Sequence, residues 1–236
     1  MGNGRVQLAM VLCLTLILGI SGCSRQEAKP TFQPSEAISA MEMAHTEKAL
    51  TFPHTLPDSG LIVEDLVSYS GVFRENGQDE EAENVAALML YNPSERMVEF
   101  AAVSVEQGGR ALYFFVYRLP PNSRCLIPEK GKSAFQDTAL TACRELCVRW
   151  TYQELSRRQL DYLGVGKQLT IINRDSRQQE HVTVWYKQYV RDGDYYLGGV
   201  AYSEHLVFLM VDERRTVTPT YYEAGKAKIV SIRIEE

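Results

Sequence analysis

From residue 61 onward the chain is built of short apolar runs rich in Val, Ile, Tyr and Phe, separated by turn residues, and several runs alternate apolar and polar positions with a period of two. That spacing predicts strands at 61–73, 85–91, 97–105, 110–119, 144–150, 168–172, 181–190, 195–202, 206–210 and 227–234. An acidic loop is expected at 75–84. Asn92-Pro93-Ser94 and Pro120-Pro121-Asn122 read as breaks, and Gly108-Gly109 and Asp192-Gly193 as hairpin turns. In 144–150, Leu146, Val148 and Trp150 share one face, and Cys143, Glu145, Cys147 and Arg149 the other. In 181–190, Val182, Val184 and Tyr186 make the core face, which puts Thr183, Trp185, Lys187 and Tyr189 on the opposite one.

The order of these features repeats with an offset of about eighty residues, close to the size of a small sandwich domain. One run stops at Asn92 and another at Asn173, and the run ending at Leu119 precedes a turn as the run ending at Met210 does. The fold expected is mainly β, with two tandem β-sandwich modules at 61–150 and 151–236. Between them, Thr151-Tyr152-Gln153-Glu154 suits a capping box and a short helix. A hairpin turning at Gly164-Val165-Gly166 is the alternative, favoured because strands flank it.

The N-terminal end has a different texture. One basic residue, Arg5, precedes an almost uninterrupted apolar run over 8–20, shorter than the ~20 residues needed to span ~30 Å of hydrocarbon. It ends in Ile20-Ser21-Gly22-Cys23, which resembles a lipobox. The resemblance implies a signal peptide at 1–22, cleavage between Gly22 and Cys23, and lipidation of the Cys23 thiol. An ordinary secretory signal or an uncleaved anchor is the other reading. Residues 23–60 are polar, with Pro30, Pro34, Pro53 and Pro57, and read as a disordered tether, with a marginal helix possible over 35–50.

Further motifs carry a second resemblance. Leu90-Tyr91-Asn92, Leu119-Pro120-Pro121-Asn122-Ser123, Leu169-Thr170-Ile171-Ile172-Asn173, Tyr186-Lys187, Leu197-Gly198-Gly199 and Ala227-Lys228-Ile229-Val230 resemble the FxLYD-type modules. These are immunoglobulin-like extracytoplasmic domains on lipoproteins and membrane proteins of Gram-positive bacteria. The resemblance implies two immunoglobulin-like modules on a membrane-anchored lipoprotein facing outside the cytoplasm, and it brings no catalytic residue.

Charge narrows the partners. Of 25 Lys and Arg against 30 Asp and Glu, loss of 1–22 removes only Arg5, which leaves 24 basic and 30 acidic residues. Nucleic acid is therefore not expected, since counterion release needs a basic surface. Cys13 leaves with the signal, so Cys125, Cys143 and Cys147 remain. One disulfide is allowed outside the cytoplasm. Four residues at ~3.3 Å each hold Cys143 and Cys147 apart in a strand, so Cys125 is the expected partner of one of them, against three free thiols. No metal or cofactor is expected: His45, His54, His181 and His205 lack ligand spacing, and Asp79, Glu80, Glu81 and Glu83 lack a calcium loop's pattern. Gly198-Gly199 reads as a bulge rather than an anion cradle. The one candidate surface is Thr183, Trp185, Lys187 and Tyr189, offered to an envelope protein or glycan unless another module covers it. The function expected is non-catalytic binding or scaffolding in the envelope. An envelope enzyme with an unrecognised site and a solute-binding lipoprotein are the alternatives.

Overall fold

The computed structural model describes residues 49–153, 155 and 159–234. The signal, Gly22, Cys23 and the expected helix over 35–50, apart from its last two residues, lie outside them. Among the described residues there is no helix, and the chain is mainly β. The strands are β1 (His54–Thr55), β2 (Ile62–Phe73), β3 (Glu80–Asn92), β4 (Met97–Gln107), β5 (Arg110–Leu119), β6 (Ser123–Pro128), β7 (Leu140–Thr151), β8 (Leu160–Val165), β9 (Gln168–Asn173), β10 (Gln179–Val190), β11 (Tyr195–Leu209), β12 (Arg214–Val217) and β13 (Ala227–Ile234).

Their pairing runs twice through one scheme. In the first half β2-β3-β6 and β5-β4-β7 form two ladders, and in the second β8-β9-β12 and β11-β10-β13 do the same. One core cluster draws Val63, Leu88 and Ile127 from the first ladder and Val103, Phe114 and Val116 from the second. A separate cluster in the second half joins Leu169 and Ile171 to Val184, Tyr186 and Ile232. Each fully buried Leu, Val or Phe contributes ~1.5–3 kcal/mol, so each half has its own source of stability.

A buried asparagine braces each half at the same place. Asn92 donates from its side-chain nitrogen to the carbonyls of Arg96 (2.8 Å), Leu119 (3.3 Å) and Pro120 (2.9 Å). Asn173 donates in the same way to Arg177 (2.9 Å), Leu209 (3.1 Å) and Met210 (3.0 Å). Both are fully buried. Each side-chain oxygen accepts from the backbone N–H two residues on, the asparagine turn that ends the strand.

The halves are joined through a sheet as well as through the chain. β6 of the first half pairs in parallel with β11 of the second, Cys125 opposite Tyr196, which makes a seven-stranded sheet in the order β1-β2-β3-β6-β11-β10-β13. Trp185, Tyr189, Tyr196 and Val230 of the second half pack into the first half's core.

Several expectations change. The tether does not run to residue 60: Leu56 is fully buried, Leu50 and Phe52 pack on the core, and the Leu50 N–H donates to the Leu140 carbonyl at 2.9 Å. The acidic stretch is no loop throughout, because β3 begins at Glu80, with Glu80 paired to Lys132 and Asp79 to Arg74. The runs at 195–202 and 206–210 are one strand, β11; the strand expected to follow the proline-rich turn at Cys125 is β6, and β12 was not anticipated. Their short segments follow proline or charge and show no alternation. A hairpin does form after residue 159, turning at Gly166-Lys167. In β7 the expected alternation fails at Leu146, since Ala102 pairs with Cys147 and Val103 with Glu145. That bulge leaves Leu146 half exposed and turns Cys143 toward the core beside Val148 and Trp150.

Candidate functional site

The site grows out of a fault in one ladder. In β10–β11, Gln188 pairs with Leu197, but Tyr186, two residues earlier, pairs with Tyr202. β11 therefore carries three extra residues, and Gly198 and Gly199 lie in the bulge. Gly198 has φ +82, a left-handed conformation that favours glycine, and a Cβ on Gly199 would overlap the Phe115 carbonyl of β5. The bulge expected at this pair is present, and its purpose is close approach to the first half.

Lys187 stands opposite the bulge, fully buried. Its ammonium donates to the carbonyls of Tyr117 (3.1 Å), Gly198 (3.0 Å), Gly199 (2.9 Å) and Val200 (2.9 Å). An isolated buried charge costs several kcal/mol, and a group that only donates is matched here by acceptors alone. Burial pulls the Lys187 pKa down, opposed by Cys125 and Glu75. Glu75, near the start of the β2–β3 connection, accepts the Gly199 N–H at 2.9 Å. Burial raises its carboxyl to about 7 against the pull of Lys187, the Gly199 hydrogen bond and Lys130. Cys125 places its thiol 3.1 Å from the Gly198 carbonyl, and burial pushes it up to about 12, which disfavours the reactive thiolate.

The expected binding face is thereby corrected. Thr183 is buried against His205, its hydroxyl 2.8 Å from Nδ1. Trp185 lies under Arg118, 3.6 Å from the ring centroid, and Tyr189 under Lys228 at 3.2 Å. Trp185, Lys187 and Tyr189 face the junction, where β5 and the first core cover that side of β10, while Thr183 is covered by His205 of its own sheet. The expected disulfide is also absent: Cys125, Cys143 and Cys147 are free thiols. Cys125 sits in the seven-stranded sheet, whereas Cys143 and Cys147 lie on β7 opposite Val105 and Ala102 of β4, in a different sheet.

What the junction does expose is aromatic. The outer face of β4 and β5 carries Phe100, Phe115 and Tyr117, with Phe100 and Tyr117 at 4.9 Å and Phe100 and Phe115 nearly parallel at 6.4 Å. With Glu75, Lys130 and Val200 they line a cleft of about 150 Å³, and the Lys130 ammonium lies 5.7 Å from the Phe115 ring centroid. A readable signal existed: the run Leu112-Tyr113-Phe114-Phe115-Val116-Tyr117 is apolar on both faces of a strand that needs only one for the core. Glu75 was hidden inside an acidic stretch that reads as solvated.

No family model, curated protein or solved structure matches the chain. Among the described residues no group of three or more His, Cys, Asp or Glu gathers as metal ligands do, and no helix is long and apolar enough to cross a membrane.

Proposed function

We propose that the protein is a lipid-anchored envelope lipoprotein, held at Cys23 outside the cytoplasm. In this reading its two immunoglobulin-like, FxLYD-type modules form a non-catalytic binding unit for another envelope component. The observation that carries the binding role is the aromatic cleft at the junction. The ionisable groups at and behind it are committed to structure: Glu75 in the lining holds the Gly199 N–H, and Lys187 of the junction is saturated by carbonyls. Glu75 is also the one carboxylate among the residues lining the cleft, whereas most glycoside hydrolases use a pair. A binding surface fits these facts better than an acid and base do.

Two measurements test the reading. Cys23→Ala is expected to abolish fatty-acid labelling and release the protein from membranes, and continued labelling would remove the anchor. Crosslinking of the full-length lipoprotein in membranes, through a photoreactive group at Tyr117, is expected to capture a specific envelope component. If Phe100→Ala with Tyr117→Ala leaves that capture unchanged, the cleft is not the binding site.

A further inference from the structure

The aromatic cleft does not end at Glu75. It shares Glu75, Pro128 and Val200 with a narrow passage, and that passage shares Val72, Arg74, Gln188 and Leu197 with a larger depression of about 660 Å³. The three adjoin along the junction as one groove constricted to about 20 Å³ at its middle, with Phe100, Phe115 and Tyr117 at one end and Arg74, Tyr221 and Lys167 at the other. We infer that this groove binds a linear glycan chain. The inference rests on the binding reading above and names its ligand class.

Three features select a sugar polymer. The first is the aromatic end, where the exposed Tyr117 ring beside the partly covered Phe100 and Phe115 suits the apolar face of a sugar ring, an amphipathic match that buried core aromatics do not offer. The second is the polar end, which presents oriented donors and acceptors to hydroxyl groups. The Arg74 guanidinium lies 4.4 Å from the Tyr221 ring centroid and is held by Asp79, with Nε to carboxylate at 3.1 Å. Between the two ends stands Glu75, with one oxygen committed to Gly199. The third is the state of the backbone. A peptide adding to a strand needs unpaired N–H and C=O groups. β11 is paired to β6 only over Tyr195–Leu197, but beyond that, beside the groove, the carbonyls of Gly198, Gly199 and Val200 are taken by Lys187 and Cys125 and the Gly199 N–H by Glu75. A lipid tail would have to bury Arg74, Asp79 and Lys167, at the cost of desolvating charges.

The test is calorimetric titration of the full-length protein in detergent micelles with chitohexaose and cellohexaose, alongside their disaccharides. At least one hexasaccharide is expected to bind. Tyr117→Ala and Arg74→Ala should each weaken it tenfold or more, because a long chain reaches both ends. The matching disaccharide should be at least tenfold weaker and sensitive to no more than one of the two substitutions. Circular dichroism and thermal melting of each variant confirm that the fold is kept. Lack of binding by both hexasaccharides overturns the inference, and so does binding that survives both substitutions. An extended acidic decapeptide that binds in their place, with the same sensitivity, overturns it in favour of a peptide. If both hexasaccharides fail while the Phe100 and Tyr117 substitutions still abolish capture in membranes, the binding function stands and only the glycan assignment falls.

Discussion

The two halves share one strand scheme and one asparagine brace, yet their second hairpins differ. β4–β5 pairs in unbroken register from Val98 opposite Leu119 to Gln107 opposite Arg110, around the two-residue turn Gly108-Gly109. β10–β11 gives up its register for three extra residues at the point where it meets the first half. The regular hairpin keeps its outer face clear and carries the aromatics. The broken one spends a lysine, two glycines and several backbone groups on the junction. A repeated topology therefore supplies stability twice, whereas the junction and its groove are made once, by the departure from the repeat.

The sharpest break of this comparison is Gly199→Val. Overlap with the Phe115 carbonyl is expected to cost more than about 3 kcal/mol, while Ala111→Val, at an exposed place in the regular hairpin, should cost under about 0.5 kcal/mol. Urea denaturation of both variants measures the difference, and a small loss at Gly199 would mean that the bulge is plastic.

Removing either asparagine tests the shared part. Asn92→Ala and Asn173→Ala each withdraw a donor from three carbonyls and are expected to cost about 3 kcal/mol apiece, equal within about 1 kcal/mol. A large inequality in their denaturation midpoints would show that the two braces are equivalent in geometry alone.

Glu75 gives the junction a pH dependence that the braces lack. Its carboxyl is raised to about 7 in the folded protein, so between the ordinary carboxylate value and 7 the folded state holds a proton that the unfolded state has lost. The stability it contributes is complete below the unfolded pKa and falls as pH rises toward 7, by about 3 kcal/mol. Thermal melting from pH 4.5 to 7.5 should show that fall, and Glu75→Gln should flatten it. An unchanged slope in the variant would place the titrating group elsewhere.

The smallest effects belong to the aromatic face and the thiols. Tyr117→Ala, at a half-exposed ring, is expected to change stability by under about 1 kcal/mol, which separates its role in binding from any role in folding. Without denaturant, exposed Cys147 should react with a thiol reagent first, partly covered Cys143 later, and Cys125 only on unfolding. Modification of Cys125 at the rate of Cys147 would mean that the junction opens readily.

Much of this was legible along the chain, for a local reason. Period-two alternation is set by the pleat, so it marked β10 and β13; apolar runs around Gly108-Gly109 marked β4 and β5, and Asn92 and Asn173 marked equivalent strand ends because an asparagine turn is a short-range device. Short β6 and β12 had no alternation to read; β6 is held between β3 and β11 and β12 lies at an edge beside β9, places that only their neighbours define. Lys187 shows where local reasoning stops. The pattern rightly placed Thr183, Trp185, Lys187 and Tyr189 together opposite the core face, but whether that face met water or protein depended on β5, some seventy residues earlier. The sequence by itself determined the β character, the repeat and which side chains share a face, because these follow from backbone geometry and near neighbours. Only the tertiary structure decided that β6 pairs with β11, that the lysine is caged by carbonyls and that Glu75 closes the junction, because a strand's edge carries no side-chain signature of the partner it will meet.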